Sequence, residues 1–254
     1  TIVADIYLFD VDGTLTPAKS KIDQSFQDTF LDWQKDKEVY IVSGGSFVRL
    51  IDQLGMDILD NVSGVFSCMG NAFYQKRDQI NSSGMNEWEL IYENKFVPPK
   101  NLTRSLRSYV AKSNYHTKTG NHHETRTGMM NFSIVGRNAT QEQRNEYAAY
   151  DAEIGERARI ASKLRDKYTE LDFVIGGAVS MDIFYKGNDK SQIIDRYFSE
   201  AIESNNIHFV GDRIPEPGND YALADKLRGH KNGYAYEVET WEDTAVLLKT
   251  RPFA

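Results

Sequence analysis

Leu8-Phe9-Asp10-Val11-Asp12-Gly13-Thr14-Leu15-Thr16 is the stretch from which the fold is read. It is preceded by Ile6 and Tyr7, so an apolar run leads directly into two carboxylates spaced i and i+2. Such a short run fits a strand buried on both faces. Alternate side chains of extended backbone point the same way, so Asp10 and Asp12 can face one pocket at the strand's C-terminal end. In an open α/β sheet that is where ligands bind. Two carboxylates held close repel each other and call for a cation, and Mg²⁺, a hard ion with oxygen ligands, suits them. One carboxylate can then serve as nucleophile and the other as acid/base.

Outward from this stretch the same grammar repeats. Phe26, Phe30, Leu31 and Trp33 suggest a helix, and Val39-Tyr40-Ile41-Val42 a second buried strand ending at Ser43-Gly44-Gly45-Ser46. Phe47, Leu50, Ile51 and Leu54 then share one helix face, with Ser46 placed either to cap that helix or to hold a phosphoryl oxygen. Ser43, at the strand end, is the better placed for phosphate. Val65-Phe66-Ser67 is a third strand, and β-α-β-α-β alternation implies a parallel sheet.

The texture changes at Asn81-Ser82-Ser83-Gly84, a turn-rich boundary. Pro98-Pro99 precede a helical face of Leu102, Leu106, Tyr109 and Val110. Met130 to Val135 alternates as a half-exposed strand, Thr140 to Gln143 forms a capping-box pattern, and two strands flank Gly176-Gly177. This reads as an α+β insert with an antiparallel sheet. After Gly187 the first texture returns: a helix opened by Lys190, a strand Ile207 to Val210 ending in Gly211-Asp212, then Gly218-Asn219-Asp220 before another helix. The expected division is a Rossmann-like core over 1–83 and 187–254 with an α+β cap over 84–186.

The chain has 254 residues and a net charge of −7, with no basic run, which argues against nucleic acid or a membrane as partner. A phosphorylated substrate then needs local cations set against the global charge. The single cysteine, Cys68, excludes an internal disulfide. With no long apolar segment and no signal peptide ahead of Asp5, a soluble cytoplasmic protein is expected.

Parallel strands bring Asp10/Asp12, Ser43 and Asp212 to one rim. Asp10, Asp12 through its backbone carbonyl, and Asp212 are then candidate Mg²⁺ ligands, with Asp220 a further ligand or an outer carboxylate. Lys190 can neutralise a phosphoryl group on Asp10. In this order the four segments resemble the haloacid dehalogenase superfamily, whose first motif is D-x-D-G-T-L. The insert narrows the resemblance. Arg126-Thr127-Gly128-Met129-Met130-Asn131-Phe132-Ser133-Ile134-Val135-Gly136-Arg137 and Gly176-Gly177-Ala178-Val179-Ser180-Met181-Asp182-Ile183-Phe184 are similar to the cap signatures of the eukaryotic-type phosphomannomutases, and Arg144 falls where that family has a cap arginine.

The resemblance implies a haloacid dehalogenase core with one inserted cap, an aspartyl-phosphate mechanism, Mg²⁺, a hexose 1,6-bisphosphate activator, a hexose-phosphate substrate and a homodimer joined through the caps. It also implies a place in GDP-mannose biosynthesis. It makes Asp10 the nucleophile and Asp12 the acid/base, and gives Arg126, Arg137, Arg144, Asn131, Ser180 and Asp182 the distal phosphate and the sugar hydroxyls. Around the core phosphate the candidates are Ser43, Gly44, Ser46 and Lys19. Lys19 stands in place of an arginine, and Ser43 to Ser46 is offset from the family's Gly-Gly-Ser-Asp. Met69, Asn188 and Pro217 also depart from the family pattern. The implied activity is a sugar-phosphate mutase, with a Mg²⁺-dependent sugar-phosphate phosphatase as the alternative.

Overall fold

The computed structural model describes residues 3–80, 82 and 86–254. The strand that carries the first motif, β1 (Asp5–Phe9), lies inside a seven-stranded sheet between β2 (Glu38–Val42) and β10 (Asn206–Gly211), parallel to both. β3 (Gly64–Ser67) and β11 (Gly233–Glu237) extend the parallel run on either side. The antiparallel pair β4 (Ala72–Ile80) and β5 (Asn86–Glu93) completes the order β11-β10-β1-β2-β3-β4-β5.

The apolar runs are continuous because this sheet is covered on both faces. Tyr7, Phe9, Val39 and Ile41 pack on one side against α1 (Gln24–Gln34), α2 (Phe47–Leu54) and α3 (Met56–Leu59). Ile6, Leu8, Tyr40 and Val42 pack on the other against α7 (Gln192–Arg196), α8 (Ala201–Ser204) and α9 (Tyr221–Arg228). Phe9 is fully buried, edge-on to Phe30 and Trp33. Burial of such a ring contributes about 1.5–3 kcal/mol. The terminal helix α10 (Trp241–Leu247) closes the first face, with Trp241 tilted over Phe26.

Between these runs of sequence lies a second, four-stranded antiparallel sheet. Its strands β6 (His123–Arg126), β7 (Met129–Ser133), β8 (Leu171–Gly176) and β9 (Ser180–Tyr185) are ordered β6-β7-β9-β8. Leu102 and Leu106 of α4 (Leu102–Lys112) and Ile160 and Leu164 of α6 (Glu156–Lys167) cover one face, against Phe132, Phe173 and Ile183. The period of two puts Asn131, Ser133, Ser180 and Asp182 on the other. Register makes them direct pairs, Asn131 with Asp182 and Ser133 with Ser180. The capping box at Thr140 starts α5 (Gln141–Ile154), which ends at Gly155 with φ +71°.

Three expectations need correction or placement. Met130 to Val135 reads as half exposed, yet every residue of β7 is buried. The face away from the helices is closed by the first sheet's loops: Asn219 Nδ2 donates to Asp182 Oδ2 (3.0 Å), and Arg126 Nη1 to Gly44 O (2.8 Å). The boundary expected at Asn81-Ser82-Ser83-Gly84 lies, apart from Ser82, outside the described residues. β5, beyond it, hydrogen-bonds along β4, so the chain leaves the seven-stranded sheet only after Glu93. Lys190 opens no helix. Asp189 Oδ1 accepts from Ser191 N (2.8 Å), a local turn that competes with helix, and two short helices replace the expected long one. Among the described residues, no helix is long and apolar enough to cross a membrane.

Candidate active site

The parallel strands end at one rim. Asp10 follows β1, Ser43 follows β2, Asp212 follows β10 and Asp220 precedes α9. Carboxylate oxygens of Asp10, Asp212 and Asp220 lie within 4.8 Å of one another. The fully buried Lys190 enters this group, its Nζ donating to Asp10 Oδ1 (2.9 Å) and Asp220 Oδ1 (2.6 Å). Thr14 Oγ1 donates at 3.4 Å to Asp10 Oδ2. Gly13 is required here: its φ is +76°, and a Cβ would stand 2.2 Å from Asp212 Oδ2.

The Lys190 ammonium, with the Arg213 guanidinium 3.8 Å from Asp212 Oδ2, leaves three carboxylates with a net negative charge when all are ionised. The pKa values register the strain. Burial, then Asp220, pushes Asp10 up to about 6 despite Lys190. Burial, then Asp10 and Asp220, raises Asp212 well above the carboxylate range. Burial alone would lower the Lys190 ammonium, but Asp10 and Asp220 outweigh it and hold its pKa above the usual lysine value. Asp212 Oδ1 is buried without a partner. An all-oxygen group with excess negative charge and an orphaned oxygen fits a hard divalent cation such as Mg²⁺. Asp10, Asp212 and Asp220 would hold it.

A prediction follows from the direction of these shifts. Both folded pKa values lie above the unfolded ones, so the metal-free protein keeps this contribution at low pH and loses it as pH rises through about 6. Mg²⁺ should therefore stabilise little at pH 5. At pH 7.5 it should raise Tm by roughly 5–10 °C at a hundredfold excess over Kd. Thermal unfolding with chelator and with Mg²⁺ at both pH values measures it. An equal shift at the two pH values, or none, would contradict this account.

The Asp12 carboxylate stands apart from the cluster. Its Oδ1 accepts from Lys19 N and Gln53 Nε2, both at 2.7 Å, and Arg49 Nη2 reaches Oδ2 at 3.4 Å. Of the metal ligands expected, Asp12 therefore retains only its backbone carbonyl for that role. Ser43 is buried, lines the cleft with Gly44 and Gly45, and accepts from Gly45 N (3.0 Å). Ser46 instead caps α2, accepting from Arg49 N, and does not line the cleft. Between the two serines, the geometry places Ser43 where a ligand can touch it.

The facing wall belongs to the four-stranded sheet. Arg126, Asn131, Ser180 and Asp182 line the same cleft as Asp10, Asp12 and Lys19. Arg126 donates from Nε to Glu124 Oε1 (2.9 Å) and from Nη1 to Gly44 O (2.8 Å), while its Nη2 is buried without a partner. Arg137 pairs with Glu124 and donates from Nη1 to Asn131 Oδ1 (3.3 Å). Asn131 donates to Asp182 Oδ1 (3.1 Å), and Asn219 of the core donates to Asp182 Oδ2 (3.0 Å). Arg137 and Arg144 stand back from the cleft lining, yet their charges reach it. Burial first, then Arg49, Arg137, Arg144 and Arg126, pushes Lys19 down to about 7. Ser180 Oγ and Arg144 Nε are buried and unpartnered. Carboxylates and cations thus share one cleft, which is also lined by Arg126 and Ser180, whose Nη2 and Oγ are free donors.

A family model described as eukaryotic phosphomannomutase matches residues 26–251. The chain belongs to the eukaryotic phosphomannomutase family. A phosphomannomutase of Dendrobium officinale is 34% identical over 248 residues, covering 96% of this chain and 92% of the relative. One of Saccharomyces cerevisiae is 31% identical over 247 residues, with the same coverage of 96% and 92%. A haloacid dehalogenase-like hydrolase of Bacteroides thetaiotaomicron, 14% identical, superposes with a TM-score of 0.52 over 96% of this chain and 97% of its own. That likeness shows the fold: a haloacid dehalogenase core with a cap.

In this phosphomannomutase-family chain several site residues escape sequence reading. Thr14, Arg49, Gln53, Glu124 and Asn219 all contact expected site residues. Arg49 and Gln53, four apart on α2, read as a solvated helix flank. The usable clue is that α2 begins at the rim where Ser43 ends β2, so its flank borders the cleft.

Proposed function

We propose that this chain is a sugar-phosphate mutase that interconverts hexose 6-phosphate and hexose 1-phosphate. The observation that carries the reading is the single cleft in which Asp10 and Asp12 of the core face Arg126, Asn131, Ser180 and Asp182 of the second sheet. A mutase must hold one phosphate at the reacting carboxylate and a second, remote one in either orientation of the sugar. Guanidinium groups are suited to that second phosphate.

In this mechanism an oxygen of Asp10 attacks phosphorus of a hexose bisphosphate, and the sugar oxygen leaves with a proton from Asp12. Asp12 then takes the proton from the hydroxyl at the other end of a hexose phosphate, which attacks the phosphoryl group on Asp10. Gln53, Arg49 and the Lys19 amide hold the Asp12 carboxylate in place for both steps. Lys190 donates to Asp10 and offsets the charge gathered there. Asp10, Asp212 and Asp220, with the Asp12 backbone carbonyl, would hold Mg²⁺, which would supply Lewis-acid stabilisation of phosphoryl oxygens when bound. The second sheet and its helices serve as the cap, closing over the core and excluding water from Asp10. Family resemblance supports a homodimer through these caps, a small-molecule partner and a cytoplasmic setting.

The test is ³¹P NMR on a panel of hexose 1- and 6-phosphates with Mg²⁺, with and without a hexose bisphosphate. Isomerisation that needs the bisphosphate is expected. Phosphate release without isomerisation would replace the mutase with a phosphatase.

The clamp gives a further expectation. Arg126 lines the cleft with a free Nη2. A charge-assisted contact is worth about 1.5–3 kcal/mol, so Arg126→Ala should lower kcat/KM for a hexose phosphate by roughly 10–150-fold. Activity on a small phosphoester with no second phosphate should fall far less, and the ratio of phosphate release to isomerisation should rise. Equal loss on both substrates would remove Arg126 from the clamp.

A further inference from the structure

Among the described residues, Glu124 is the acidic group that pairs with both Arg126 and Arg137. It lies on the outer strand β6, directly opposite Asn131 of β7. One of its oxygens accepts from Arg126 Nε at 2.9 Å, and the other pairs with Arg137. The cleft is lined by Arg126 and not by Glu124, so the carboxylate sits behind the guanidinium, away from the ligand space. Arg126 is consequently divided among three tasks. Its Nε is held by Glu124, its Nη1 reaches across to Gly44 O of the core at 2.8 Å, and its Nη2 is left buried and open. The Arg126 side chain is 5% exposed, whereas that of Glu124 is 37% exposed, so the anchor is on the solvent side and the working end is inside.

We propose that Glu124 is the positioning residue of the phosphate clamp: it braces Arg126 and Arg137 side by side, so that Arg126 spans from the cap to the Gly44 loop and presents its free Nη2 to the substrate's distal phosphate. This rests on the mutase reading above. Two physical terms support it. A carboxylate that takes one edge of a guanidinium fixes the planar fork and leaves the other edge aimed. It also offsets repulsion among Lys19, Arg49, Arg126, Arg137 and Arg144, a crowding already felt at Lys19. The opposite role, a carboxylate competing with phosphate for the arginines, would require Glu124 to line the cleft, and it does not.

The test compares Glu124→Ala and Glu124→Gln with wild type. Glu124→Ala should raise KM for hexose 6-phosphate about tenfold, one charge-assisted contact's worth, with a smaller change in kcat. Glu124→Gln keeps an acceptor for Arg126 Nε without the charge, so its KM should fall between the two. In an Arg126→Ala background the same Glu124→Ala change should shrink to about twofold, because only Arg137 is left to position. A merely structural role would instead carry its full loss into that background and would not be relieved by glutamine. An unchanged KM, a lowered KM, or an undiminished loss without Arg126 would each overturn the proposal. If wild type does not turn over hexose phosphates, the mutase reading fails separately. Glu124 is then judged by inorganic phosphate binding in calorimetry, where Kd should rise in the order wild type, glutamine, alanine, and any other order overturns it.

Discussion

Asp10→Asn is expected to abolish turnover, by at least about 10⁴-fold, while leaving the protein folded. Loss of a nucleophile commonly removes that much rate or more. The amide is nearly isosteric, so it fills the same space between Lys190 and Thr14: its oxygen can still accept from Lys190, and its NH2 can donate to the Thr14 hydroxyl in place of the bond that Asp10 Oδ2 accepts. The substitution also removes one of three carboxylates that share a single ammonium. Asp10 titrates high because burial and Asp220 oppose its charge. Without Mg²⁺, the asparagine variant should therefore be at least as stable as wild type above pH 6, and Mg²⁺ should stabilise it less. Turnover of the purified variant near the wild-type rate would show that the nucleophile lies elsewhere. A large drop in the metal-free Tm would show that the charge of Asp10 is needed by the fold, contrary to the electrostatics of the cluster.

Asp12→Ala is expected to slow turnover by roughly 10²–10⁴-fold, the range of a general acid/base. Its metal response should survive, which separates it from Asp10. The Asp12 carboxylate is held by Gln53, Arg49 and the Lys19 amide, away from the cluster of Asp10, Asp212 and Asp220. Mg²⁺ should therefore still raise the Tm of the alanine variant at pH 7.5. Loss of that shift would make the side chain a metal ligand and overturn its assignment as acid/base. Gln53→Ala offers a graded check, since it frees one of the two bonds on Asp12 Oδ1 at 2.7 Å and should reproduce part of the loss.

The parts legible in the sequence are those encoded over a few neighbouring residues. An apolar run followed by a carboxylate pair and a glycine places Asp10 and Asp12 at a strand end, because burial on both faces demands such a run and period two aligns the pair. The same local logic placed Ser43 after β2 and Asp212 after β10, and period two put Asn131, Ser133, Ser180 and Asp182 on shared faces. What only the tertiary structure decided is which of these groups become partners. The order of the segments already assigns Lys190 to Asp10, but its second bond, to Asp220 across 30 residues, is decided by the packing of the loops at the rim. Ser43 and Ser46 differ only in whether they end a strand or cap a helix, and the helix start settled that Ser43 faces the cleft. Strand β5 joins the core sheet through antiparallel pairing with β4, the strand just before it in the chain, and composition alone does not encode that pairing. Glu124 reads as one more charge on an exposed edge strand. It becomes the brace between Arg126 and Arg137 because register and the turn after β6 bring both guanidiniums to it, and register is set by how whole strands pack.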